Sequence, residues 1–131
     1  MRANKRIRVL IFTKYTLFRE GIKELLIHTD LIEVAGEAVT MGEALGLLRL
    51  LSPDVILMDP IASDLSGADV MRRFKAASPD VKVLLLSMST DESVIGACIR
   101  AGASGYISST DRPAQLRNAI AACAERGRRA A

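Results

Sequence analysis

Histidine is almost absent from this chain of 131 residues: His28 is the single one, so no metal cluster can be built on histidines. Its place at the end of a predicted helix suits a surface or dipole-capping role. The two cysteines, Cys98 and Cys123, stand far apart without metal-ligand spacing and read as buried or half-buried reduced thiols. There is no tryptophan, and there are only three phenylalanines and two tyrosines. The apolar runs are strand-sized, far short of the roughly 20 residues that cross a bilayer. The opening Met1-Arg-Ala-Asn-Lys-Arg-Ile-Arg8 holds no apolar segment of signal length. A cytoplasmic location is the expectation, with no membrane partner. Charge of one sign is scarce as well. The net charge is +3, with the excess at the ends: Arg2, Lys5, Arg6 and Arg8 at one, Arg126, Arg128 and Arg129 at the other. These read as basic, solvated tails around a core at 7–127 rather than as a nucleic-acid patch. With no helix-turn-helix pattern in view, direct nucleic-acid binding by this domain is not expected.

What the chain does have is a strict alternation of strand and helix patterns. Ile7 to Phe12 predicts a strand, and Leu17 to about Ile27 a helix with Leu17, Phe18, Ile22, Leu25 and Leu26 at helical spacing. Ile32 to Ala35 is a short second strand. Thr40-Met-Gly-Glu43 is a capping-box sequence that opens a second helix, ended by Ser52-Pro53. Ser66-Gly-Ala-Asp69 starts a third helix with Val70, Met71 and Phe74 inward, and Ser78-Pro79-Asp80 turns into a strand at Val81 to Leu86. Thr90-Asp91-Glu92 caps a fourth helix running to about Arg100. Gly105-Tyr-Ile107 is the fifth strand, and Pro113 marks the first turn of a last helix ending near Gly127. Short connections and regular alternation predict one doubly wound α/β domain over 1–131.

The chain is organised around Val55-Ile-Leu-Met-Asp59. Four apolar residues that lead straight into a carboxylate read as a strand buried on both faces, the centre of a parallel sheet. Ligand crevices of such sheets lie beyond the carboxyl ends of the strands, which puts Asp59 at the mouth of one. Asp64, five residues on, reads as a turn residue rather than a second acid. Pro60 restricts Asp59 to extended geometry and removes one amide donor from the loop.

Four segments in order resemble one family. They are Leu17-Phe-Arg-Glu-Gly21, Val55-Ile-Leu-Met-Asp59 with Gly67 eight residues later, Val83-Leu-Leu-Leu-Ser87, and Ala101-Gly-Ala-Ser-Gly-Tyr106. The chain resembles, over essentially its full length, a response-regulator receiver domain of the NarL/FixJ type that precedes a LuxR-type helix-turn-helix. The resemblance implies a flavodoxin-like fold, a five-stranded parallel sheet in order 2-1-3-4-5 with five helices. It implies that Asp59 stands at the position that accepts a phosphoryl group from a histidine kinase. Ser87 matches the hydroxyl that contacts the phosphoryl group, and Tyr106 the aromatic switch. The family's pair of cation-binding acids is replaced by Thr13 and Lys14, and its lysine by Ser109. Pro60 and Ser63 also depart from the family's loop.

These departures alter the charge balance. A usual receiver site, three carboxylates and a lysine, is doubly negative and is balanced by magnesium, which prefers carboxylate, water and phosphate oxygens. Asp59 with Lys14 alone sums to zero, so weak or absent magnesium binding is expected, and no cofactor. Lys14 either takes the cation's place and pairs with Asp59 or points into water. Paired about 4 Å apart at an effective dielectric of about 20, the two attract by roughly 4 kcal/mol before desolvation, and the pair would lower the Asp59 pKa. The expected function is an atypical receiver, a phosphorylation-independent regulatory and dimerisation module of a transcription regulator. Its output domain lies beyond residue 131 in a longer parent chain or is absent. A homodimer would form through the last two helices and fifth strand, or through the first and last helices. Ile95, Ile99, Leu116 and Ile120 fit a core face at least as well as an interface. Control would come from a small ligand in the vacated crevice or a protein partner. The alternative is a conventional receiver phosphorylated on Asp59. A haloacid-dehalogenase-like phosphotransferase ranks last, because its second acid would stand at Ile61, and an enzyme is not expected.

Overall fold

The computed structural model describes residues 6–61, 65–87 and 92–130, with the side chains of 126–130 left aside. Strands β1 (Ile7–Phe12), β2 (Ile32–Ala38), β3 (Val55–Met58), β4 (Lys82–Ser87) and β5 (Gly105–Ser108) alternate with helices α1 (Thr16–Leu26), α2 (Met41–Leu51), α3 (Gly67–Ala77), α4 (Glu92–Arg100) and α5 (Pro113–Ala130). The strands form one parallel sheet in the order β2-β1-β3-β4-β5, as expected. Among the described residues no helix is long and apolar enough to cross a membrane.

Period-two alternation divides the sheet's apolar side chains between two cores. Leu10, Phe12, Ile56, Met58, Val83 and Leu85 pack against α2, α3 and α4. Ile11, Val55, Leu57, Leu84 and Leu86 pack against α1 and α5. Phe12 and Phe74 meet edge to face at 6.0 Å between ring centroids. Leu116 and Ile120 belong to the second core, whereas Ile99 is exposed. Both cysteines are buried and neither is in a disulfide, and burial raises the Cys98 thiol pKa.

The helix starts follow their sequence signals. Thr40 accepts from the Glu43 N–H while the Glu43 carboxylate accepts from the Thr40 N–H, a complete capping box. Ser66 accepts from the Asp69 N–H at 3.1 Å. Thr90 and Asp91, read as caps of α4, lie outside the described residues. His28 sits on the surface past α1, 3.6 Å from Glu24.

Several boundaries differ from expectation, most of them by a single residue. β2 continues past Ala35 to Ala38, because a bulge opposite Val9/Leu10 restores its pairing with β1. Gly36 suits this stretch, since a Cβ there would stand 2.8 Å from Leu51 Cδ1. β4 begins at Lys82 rather than Val81. α5 runs on to Ala130 rather than ending near Gly127. At the start of α3, a Cβ on Gly67 would meet Cys98 Sγ of α4 at 2.5 Å and the Pro60 carbonyl at 3.1 Å.

Candidate functional site

β1 and β3 end side by side, and the Asp59 N–H donates to the Phe12 carbonyl at 3.1 Å. That pairing sets Thr13 beside Asp59 just beyond the sheet. Thr13, Asp59 and Ser87 are the buried polar side chains of the described residues, and Asp59 is 2 % exposed. Both Asp59 oxygens are engaged by neutral donors. Oδ1 accepts from the Ile61 N–H at 3.0 Å, and Oδ2 accepts from the Thr13 hydroxyl at 3.3 Å. The Thr13 oxygen accepts in turn from the Tyr15 N–H at 3.2 Å, which leaves its own proton for Asp59.

Desolvation has the largest influence on the carboxyl's pKa. Burial holds the Asp59 pKa above its ordinary value, against the Ile61 N–H, then the Thr13 hydroxyl, then the charge of Lys14, all of which pull it down. Of the two arrangements left open for Lys14, the structure shows the exposed one, and the lowered Asp59 pKa that pairing would have brought is not found. No ion pair joins the two. The Lys14 side chain is exposed, and its ammonium lies 5.5 Å from the centre of the Tyr15 ring. A flexible cation keeps its water at the ring face, whereas pairing with a buried carboxylate would cost that hydration.

The remaining expected site residues are placed less closely. Ser87 is buried at the end of β4, and its carbonyl accepts from the Ser109 N–H at 2.8 Å. Ser109, at the lysine position, is exposed. Tyr106 is 54 % exposed, its ring on the surface of β5. Ser63 and Asp64 lie outside the described residues. Ile61 brings its backbone N–H to Asp59, where a second acid would be needed for dehalogenase-like chemistry. A cavity of about 100 Å³ is lined by Phe18, Ile22, Leu86, Ile107, Ser109 and Leu116 among others, and Asp59 does not line it.

Arg19 and Glu37 were not anticipated. Arg19 Nη1 donates to the Thr13 carbonyl at 3.0 Å, and Arg19 Nε to Glu37 Oε1 at 3.0 Å. Lys23 closes on the other Glu37 oxygen at 2.9 Å and on Glu20 at 3.3 Å, contacts that raise the Lys23 pKa. Arg19 falls inside the Leu17–Gly21 run that carried the resemblance, which is the signal that could have marked it.

An open parallel sheet in this order, with a buried aspartate at the end of its central strand, defines the receiver class. Residues 9–121 match the family model described as response regulator receiver domain, and the chain belongs to that family. It is 37 % identical over 102 residues to the transcriptional regulatory protein DegU of Brevibacillus brevis, covering 78 % of this chain and 43 % of that protein. It is 33 % identical over 119 residues to the transcriptional regulatory protein LiaR of Bacillus subtilis, covering 91 % and 56 %. The signal receiver domain of NarL from Mycobacterium tuberculosis superposes with a TM-score of 0.84 at 28 % identity, covering 92 % of this chain and 97 % of that one. The chain thus spans about half the length of the curated relatives it matches.

Proposed function

We propose that this receiver domain is the regulatory module of a transcription regulator and that it works without phosphorylation of Asp59. The observation that carries this reading is the closed hydrogen bonding of Asp59: each oxygen is held by a neutral donor of the same chain, in a buried place that disfavours the anion. Phosphoryl transfer depends on positioning and charge neutralisation, and Asp59 has neutral donors where a neutralising cation would be needed.

Magnesium, which the family resemblance implies, does not fit the donors present. The Thr13 hydroxyl is a neutral ligand in place of a carboxylate and already bridges Asp59 and the Tyr15 N–H, and Lys14 brings a like charge to the neighbourhood of any cation. Among the described residues no group of three or more histidine, cysteine, aspartate or glutamate side chains could hold a metal ion. The resemblance to DegU and LiaR, both named as transcriptional regulatory proteins, supports an output DNA-binding domain in a longer parent chain. In this reading the domain acts in the cytoplasm as a homodimer, is not an enzyme, and answers to a protein partner or small ligand.

The test is incubation of the chain with acetyl phosphate and magnesium, followed by intact mass. No added phosphoryl group is expected; a gain that disappears in Asp59→Asn would overturn the reading. Such a gain would establish the second reading, a conventional receiver served by a histidine kinase. What favours that one is the retention of Asp59 and Ser87, buried at the ends of neighbouring strands.

A further inference from the structure

Thr13 uses every polar group it has, each toward a different part of the fold. Its N–H donates to the Ala38 carbonyl of β2 at 3.2 Å, its carbonyl accepts from Arg19 of α1 at 3.0 Å, and its hydroxyl bridges the Tyr15 N–H and Asp59. The residue lies just past the end of β1, where its carbonyl has left the strand ladder. A buried carbonyl without a partner is costly, so the guanidinium decides where this peptide rests. Threonine is stiff about χ1, and once its backbone is fixed its hydroxyl has few directions to choose from.

We propose that Arg19 is a positioning residue for the Asp59 site: it clamps the Thr13 carbonyl and so keeps the Thr13 hydroxyl on the carboxylate, while Glu37 of β2 holds the guanidinium in place. The planar fork of arginine suits both tasks at once, Nε toward Glu37 and Nη1 toward Thr13. Arg19 acts through Thr13, since no hydrogen bond or ion pair joins it to Asp59 among the described residues. The inference goes beyond the functional reading above and stands whether or not Asp59 takes up phosphate.

The charged groups that bear on the test are Glu37 of β2, Lys23 and Glu20 of α1 and Glu43 of α2 around Arg19, with the charge of Lys14 acting on Asp59. The experiment follows the Asp59 carboxyl carbon by NMR through a pH titration of the full chain. Arg19→Gln is expected to move the Asp59 midpoint upward, because a wandering Thr13 hydroxyl no longer stabilises the anion. In a Thr13→Val background the same substitution is expected to leave the midpoint where Thr13→Val has put it. Equal shifts in both backgrounds would reveal a direct charge effect and overturn the proposal, as would no shift in either. Should Arg19→Gln fail to fold, Glu37→Gln serves in its place, with a smaller upward shift expected and the same dependence on Thr13.

Discussion

Two aspartates bracket β3, and the strand gives them opposite surroundings. Asp54, before Val55, is half-buried; its Oδ2 accepts from the Arg8 N–H at 2.8 Å, and its own N–H donates to the Arg8 carbonyl at 2.8 Å. The Arg8 guanidinium stays at this end, on the carbonyls of Leu51 and Ser52. Asp59, after Met58, is shut away from water and leans on a hydroxyl and an amide instead. Identical side chains four apolar residues apart thus differ in their access to water. Asp54 ties β1 to β3 while keeping some water. Asp59 gives up its water and gains no cation in exchange, and its pKa is raised in consequence.

Removing the strand between them should have the largest effect. Leu57 is fully buried against α1 and α5, so Leu57→Ala is expected to cost roughly 2–5 kcal/mol in urea unfolding. Asp54→Ala comes next. It leaves the Arg8 N–H without its carboxylate, and a loss of about 1–2 kcal/mol is expected in the same measurement. Asp59→Asn should go the other way and stabilise the domain at neutral pH by about 1 kcal/mol, since it removes a buried charge and keeps an acceptor. If both aspartate variants lost stability at neutral pH, the contrast between the two ends would be gone.

The pH dependence sharpens the contrast. The folded Asp59 pKa lies above the ordinary 3.8. Its contribution to stability is therefore fully present below that ordinary value and is lost as pH rises through the folded one. Wild type should lose ground to Asp59→Asn across that window, read from unfolding midpoints on both sides of it.

The fold followed from pattern because its signals are local. Apolar runs at β1, β3 and β4, the Thr40–Glu43 box and the Ser66 cap each act over a few residues, and the structure realises all of them. The site depended on the folded neighbourhood instead. Whether Lys14 pairs with Asp59 or stays exposed was open in the sequence, because it depends on the burial of Asp59 and on the Tyr15 ring beside the ammonium. That Thr13 would be a donor, not merely a missing acid, depends on the Tyr15 N–H occupying its oxygen. Arg19 and Glu37 stand 18 residues apart and meet only when α1 lies on β2. The length of β2 escaped for a similar reason, since its bulge is defined by β1.

The tight fit at Gly67 has a mechanical consequence. The start of α3 touches both the thiol beneath α4 and the carbonyl of the residue after Asp59, with no clearance for even a methyl group. A joint without slack transmits motion instead of absorbing it. A methyl group added at Gly67 would therefore press on the Cys98 thiol of α4 and on the Pro60 peptide at once.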